Sequence, residues 1–184
     1  DVGEVNGETI SAQDFQALVE EYTEVVKFSS GMNALSDEQT NQIKDEVWRA
    51  YVNNKLIENE AEKLGLTVSK AELQAIIDAG AHPMLQQTPF RNPQTGAFDK
   101  DMLKKFLVDY SKMNKAQMPA QYAEYYESMY NFWAFVEKSL IQARLQEKYQ
   151  ALITKSLFSN PVEAEDAFNA RVDQSDLLLA AVPY

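Results

Sequence analysis

AQYAEYYESMYNFWAFVEKSLIQARLQEKYQALITKSL, residues 120–157, contains neither glycine nor proline. At 100° per residue, Tyr122, Tyr125, Tyr126, Met129, Phe132, Trp133, Val136 and Leu140 fall on one face, so the spacing predicts one long helix with an aromatic stripe. Beyond Leu140 the apolar positions Ile141, Leu145, Tyr149 and Leu152 move to another face. Such a drift is expected of a helix that leaves one packing partner and joins a second. Phe135 lies off the early stripe, an aromatic among polar neighbours.

The flanking sequence reads as further helices. Ser11 with Asp14, Ser36 with Gln39, and Ser69 with Glu72 each have capping-box spacing ahead of an apolar stripe. They predict a first helix to about Phe28, a long second helix through Val47, Tyr51 and Leu64 to a cap at Gly65, and a third ending at Gly80. Pro83, Pro89 and Pro93 predict a loop from Ala81 to Gly96, and Asp99 can cap a fourth helix bearing Leu103 and Phe106. A short strand over Val2–Val5 ends at the turn pair Asn6-Gly7. At the other end, Glu163–Val172 reads as a short helix and Leu177–Tyr184 as a strand. The expected fold is therefore mainly α: an irregular multi-helix module with one or two long helices and short terminal strands. Those strands pair with each other or each join a sheet elsewhere. Residues 2–110 form its N-terminal helical part, 111–158 the long aromatic helix, and 159–184 a short helix and strand.

Composition narrows the chemistry. The 184 residues carry no cysteine and one histidine, His82, which removes thiol nucleophiles, disulfides and multi-histidine metal sites. No phosphate-binding or dinucleotide-binding glycine pattern occurs, and the paired carboxylates Glu20/Glu24 and Glu124/Glu127 read as solvated helix faces. His82 has no nucleophile at recognisable spacing and reads as a loop or helix-end residue. No catalytic residue, metal or cofactor is expected. A net charge of −11 disfavours nucleic acid as a partner. Residues 1–65 hold fourteen acids and five bases, a balance of −9, whereas the aromatic helix is slightly basic, so the two sections attract. No apolar run is long enough to cross a bilayer. The chain starts at Asp1, which raises the expectation of a processed leader or anchor upstream.

What the sequence does supply is flexible and flat apolar side chains. Met84, Phe90, Met113, Met118, Tyr122, Tyr126, Met129, Trp133 and Phe135 are the candidate contacts for varied apolar partners, because methionine and aromatic groups repack readily. Most of the stripe from Tyr122 to Leu140 is expected to be core, which leaves the loop methionines and Phe135 as the better candidates for exposure.

The ordered motifs resemble a known family. Val5–Ser11 (VNGETIS) with Phe15, Val47–Ile57 (VWRAYVNNKLI), and Glu60–Ser69 (EAEKLGLTVS) with Glu72-Leu73 are similar to the N-terminal region of the SurA/PpiD family of bacterial envelope chaperones. Phe90–Asn92 with Gly96–Asp99 extends the similarity, and Tyr149–Phe168 resembles the family's helices that lead to its parvulin domain. Residues 2–110 and 140–184 carry most of the likeness, residues 111–139 less, and the PpiD-like branch is the nearer. The resemblance implies an ATP-independent periplasmic module that binds unfolded or newly translocated polypeptides. It also implies a parent protein with a parvulin-type peptidyl-prolyl isomerase domain and an upstream inner-membrane anchor, neither of which is expected in these 184 residues. The alternative reading is a structural or homodimerising module that positions the adjacent parvulin domain.

Overall fold

The computed structural model describes residues 3–5 and 7–158. The expected helix at Glu163–Val172 and strand at Leu177–Tyr184 lie outside the described residues.

The chain starts with a hairpin, β1 (Gly3–Val5) and β2 (Glu8–Ile10), paired antiparallel with Gly3 opposite Ile10 and Val5 opposite Glu8. Gly7, at φ 81°, makes the reversal possible where a side chain would be strained. The N-terminal strand thus pairs with residues 8–10, its neighbour in the chain, where the expected partner was the C-terminal strand or a sheet elsewhere. Pairing across a two-residue turn costs the least loop-closure entropy.

Helix α1 (Ala12–Ser30) is capped by the Ser11 hydroxyl, which accepts from the Asp14 N–H at 3.0 Å. Helix α2 (Asp37–Lys63) opens on a complete capping box. Ser36 Oγ accepts from the Gln39 N–H while the Gln39 amide oxygen accepts from the Ser36 N–H. Its end is a Schellman motif, in which the Leu66 N–H reaches Ala61 O (2.8 Å) and the Gly65 N–H reaches Glu62 O (3.1 Å). Gly65, at φ 70°, supplies the left-handed residue that this geometry requires. Helix α3 (Lys70–Ala79) carries the second complete box, Ser69 with Glu72.

The segment expected to be loop throughout contains one helical turn, α4 (Pro83–Gln86). Pro83 sits in the first turn, where its missing N–H costs nothing, and His82 Nδ1 accepts from the Met84 N–H at 3.2 Å as the cap. Proline therefore starts a turn here. Helix α5 (Lys100–Lys112) follows, capped by Asp99, then a single 3-10 turn (Lys115–Gln117), and then α6 (Ala120–Leu157).

Helix α6 packs against α1, α2, α4 and α5. Two apolar clusters hold the helices together. The larger joins Val25 of α1, Ile77 of α3, Met84 and Leu85 of α4, Phe90, Leu103 and Phe106, and Phe132, Trp133, Val136 and Leu140 of α6. The smaller joins Val19 and Tyr22 of α1 to Ile43 and Val47 of α2. Phe135 packs against both. Of the α6 stripe, Phe132, Trp133, Val136 and Leu140 seat on the larger cluster; beyond it Tyr149 is 1% exposed and Ile141 and Leu145 are half-buried, whereas Leu152, expected to turn inward with them, is 37% exposed. Charge also ties the sections together, since Lys138 of α6 pairs with Glu21 of α1.

Candidate functional site

Three helices do not close completely on one another. Between α1, α2 and α6 a cleft of about 520 Å³ opens to solvent, with His82 and Met84 at its margin. Each wall is a helical stripe. Leu18, Glu21 and Tyr22 come from α1; Glu46, Val47, Ala50, Tyr51, Asn54, Lys55 and Glu58 from α2; Phe135, Lys138, Ser139, Gln142, Ala143, Gln146, Glu147 and Gln150 from α6. These spacings of three and four residues place every member of a stripe on one face of its helix.

Tyr22, Val47 and Met84 are buried, and together with half-buried Leu18, Tyr51 and Phe135 they give the cleft its apolar surface. Tyr22 and Phe135 meet ring to ring at 5.7 Å. Glutamate and glutamine occupy the borders. The Tyr22 hydroxyl donates to Glu46 Oε2 at 3.0 Å, and Gln142 Nε2 donates to Glu58 Oε1 at 2.6 Å. Burial, and then the Glu46 carboxylate, push the Tyr22 phenol well above the usual tyrosine range, so it remains a neutral donor. Burial likewise lowers the His82 imidazole below its ordinary value, against the opposing pull of the Glu147 charge. Lys55 reaches Glu8 on β2 at 3.3 Å, which locks the hairpin onto α2. This hydrogen bond raises the Lys55 ammonium above its usual range.

Among the described residues no group of three or more histidine, cysteine or acidic side chains could hold a metal, and no helix is long and apolar enough to cross a membrane. What the cleft can do is bury a short apolar segment and hydrogen-bond its borders. Its volume falls within the about 300–1,000 Å³ typical of small-ligand sites.

The nine side chains singled out from the sequence divide into groups. Met84 and Phe135 line the cleft. Phe90 and Trp133 are each 3% exposed in the larger cluster, so they support the fold and present no contact surface. Tyr126 and Met129 are half-buried against that cluster, where the Tyr126 ring stacks on Phe106 at 6.0 Å. Met113 and Met118 are half-buried around the 3-10 turn, and Tyr122 is 59% exposed at the start of α6. Phe135, expected to be exposed, bridges the two clusters.

The α2 and α6 walls were missed, although a sequence signal existed. Glu46, Ala50, Asn54 and Glu58, and Lys138, Gln142, Gln146 and Gln150, are rows of small or polar residues at four-residue spacing beside apolar stripes. A helix face that packs directly on a neighbour has no need of them.

A family model described as the SurA-like N-terminal domain matches residues 1–107. No curated protein and no solved structure matches the chain. The match spans the hairpin, the α1 and α2 walls of the cleft, α3, α4 and part of α5, more than half of the 184 residues. The chain therefore belongs to the SurA-like N-terminal domain family, the non-catalytic, chaperone-type part of SurA-like proteins.

Proposed function

We propose that the chain is an ATP-independent chaperone module of the bacterial periplasm, from the PpiD-like branch of its family. It holds short segments of unfolded or newly translocated envelope proteins in the α1/α2/α6 cleft. Its parent protein is a parvulin-type peptidyl-prolyl isomerase, with this module as the holding part. The observation that carries the reading is an open cleft of about 520 Å³, lined by Leu18, Val47, Tyr51 and Phe135, in a chain of this family.

Binding there is driven by burial of client apolar surface, at about 25 cal/mol per Å² before the ordering cost of the client is subtracted. A cleft of this size holds a short stretch rather than a folded domain. Affinity is therefore modest and exchange fast, which suits a holdase that uses no nucleotide.

Suppression of citrate synthase aggregation tests the reading. The wild-type chain is expected to suppress aggregation at stoichiometric excess. Ala50→Trp, which fills the cleft from the α2 wall, is expected to lose most of that activity while its circular dichroism is unchanged. No suppression by the wild type would reject the proposal.

The second reading, a dimerising or positioning module, draws on the exposed rings of Tyr122 (59%), Tyr125 (53%) and Tyr130 (37%) on α6. Analytical ultracentrifugation separates the two: a tight dimer lost on Tyr122→Ala with Tyr125→Ala would favour this one.

A further inference from the structure

We propose that the cleft selects polypeptide segments in which a short apolar core is flanked by lysine or arginine, with the flanking cations about five or six residues apart. This deepens the holdase reading and rests on it. The charge of the cleft wall carries the inference.

Four carboxylates line the cleft, Glu21, Glu46, Glu58 and Glu147, against two ammonium groups, Lys55 and Lys138. Both lysines are engaged, Lys138 with Glu21 and Lys55 with Glu8 of the hairpin. Glu147 is met by Arg144 at 3.3 Å. Glu46 and Glu58 are different. Each accepts a hydrogen bond from a neutral donor, Tyr22 and Gln142 respectively, and neither forms a salt bridge with a cation among the described residues. Lys55 stands one turn from Glu58 and is attracted to it through space, but its ammonium makes its ion pair with Glu8. Both carboxylates are half-buried, so their charge is screened less than that of a free surface residue.

Between them the wall also holds two acceptors with spare capacity. Asn54 Oδ1 and Gln142 Oε1 are buried with no hydrogen-bond partner among the described residues. With burial lowering the His82 imidazole, the cleft surface carries net negative charge, four carboxylates against two ammonium groups, and its α1 and α2 walls belong to residues 1–65, whose acids outnumber their bases by nine. An apolar segment with acidic neighbours is repelled, and one with basic neighbours finds two half-buried carboxylates that form no salt bridge among the described residues.

The spacing follows from α2. Glu46 and Glu58 lie twelve residues apart in one row at four-residue intervals with Ala50 and Asn54. That is about 18 Å along a helix axis at 1.5 Å per residue. An extended chain rises about 3.3 Å per residue, so cations five or six residues apart reach both carboxylates while the residues between them lie over Ala50 and Tyr51.

The test uses three fluorescein-labelled peptides with one apolar core, Leu-Phe-Val-Phe, flanked on both sides by lysine, by glutamine or by glutamate. Their binding to the chain is followed by fluorescence anisotropy. At about 0.01 M ionic strength the lysine-flanked peptide is expected to bind about tenfold tighter than the glutamate-flanked one, with glutamine between. At about 1 M salt the difference collapses. Glu46→Gln with Glu58→Gln levels the three peptides at low salt, and each single substitution removes part of the preference. Equal binding of the three peptides to the wild type, with binding still lost in Ala50→Trp, overturns the charge selection and leaves the holdase reading standing. A lysine preference that survives in the folded double variant overturns the assignment to Glu46 and Glu58. No binding of any peptide overturns both.

Discussion

Gly3 is small because Trp48 takes the space a side chain would need: a Cβ there would lie 2.3 Å from Trp48 Cη2. The indole is held in place, edge-on to Phe15 at 5.9 Å and stacked on Tyr51 at 6.0 Å, so it cannot yield cheaply. Gly3→Ala is therefore expected to lift the hairpin from α2 and cost about 1–3 kcal/mol, read as a lower denaturation midpoint with altered Trp48 fluorescence. His82 acts through its protonation state. Its Nδ1 must stay unprotonated to accept from the Met84 N–H, and burial lowers its folded value below 6.5. Between that lowered value and 6.5 the unfolded chain binds more protons, so stability falls as pH drops through this window. In His82→Asn, which keeps a capping acceptor, the denaturation midpoint is expected to change less between pH 7.5 and 5.5 than in the wild type. The capping role of His82 was open to sequence reasoning as a helix-end residue. The packing of half-buried Phe135 was not, because its position off one stripe gave no hint of a second cluster on its other side.

At the level of elements, α3 is clasped to α6 by one carboxylate. Glu72 completes the α3 capping box and also accepts from Lys148 Nζ at 2.9 Å and Arg144 Nε at 3.2 Å, while Lys148 donates to Thr67 O at 2.6 Å. Hydrogen bonds from Lys148, then the Ser69 N–H, hold the Glu72 carboxyl down at about 2, from an ordinary value of 4.5. Because the folded value is depressed, this stabilisation is in full force above about 4.5 and is lost as pH falls towards 2. Glu72→Gln is expected to be less stable than the wild type at neutral pH, with the gap narrowing by pH 3, measured by urea denaturation at both. The capping boxes that started α2 and α3 were legible because a box is a local pattern of two residues and their own backbone. The clasp joins residues more than seventy positions apart, and no local pattern specifies it. Strand β2 was lost for a related reason: Glu8-Thr9-Ile10 is too short for an alternation to show, and only the turn at Gly7 gives it a partner. The single turn α4 escaped because three prolines in one segment outweighed the favourable first-turn position of Pro83.

Over the described residues, the acidic first two helices meet the sixth, whose four acids and four bases balance, along a seam that is packed by the apolar clusters and left open as a cleft beside α2. The mainly helical class and the long uninterrupted α6 were written in periodicity. The cleft was not, because periodicity tells which face turns inward and not whether two inward faces touch. Its rows of Glu, Gln, Asn and Ala show that they do not fully touch. The central claim is that this opening, rather than the exposed tyrosines at the start of α6, receives unfolded polypeptide. The most direct measurement is a photo-crosslink made from the client side: an unfolded polypeptide carrying a diazirine on its apolar side chains, irradiated with the chain, and the attachment points mapped by mass spectrometry. Attachment is expected to concentrate at Leu18, Val47, Tyr51 and Phe135 and to disappear in Ala50→Trp. Attachment confined to Tyr122, Tyr125 and Tyr130, unchanged in Ala50→Trp, would contradict the account.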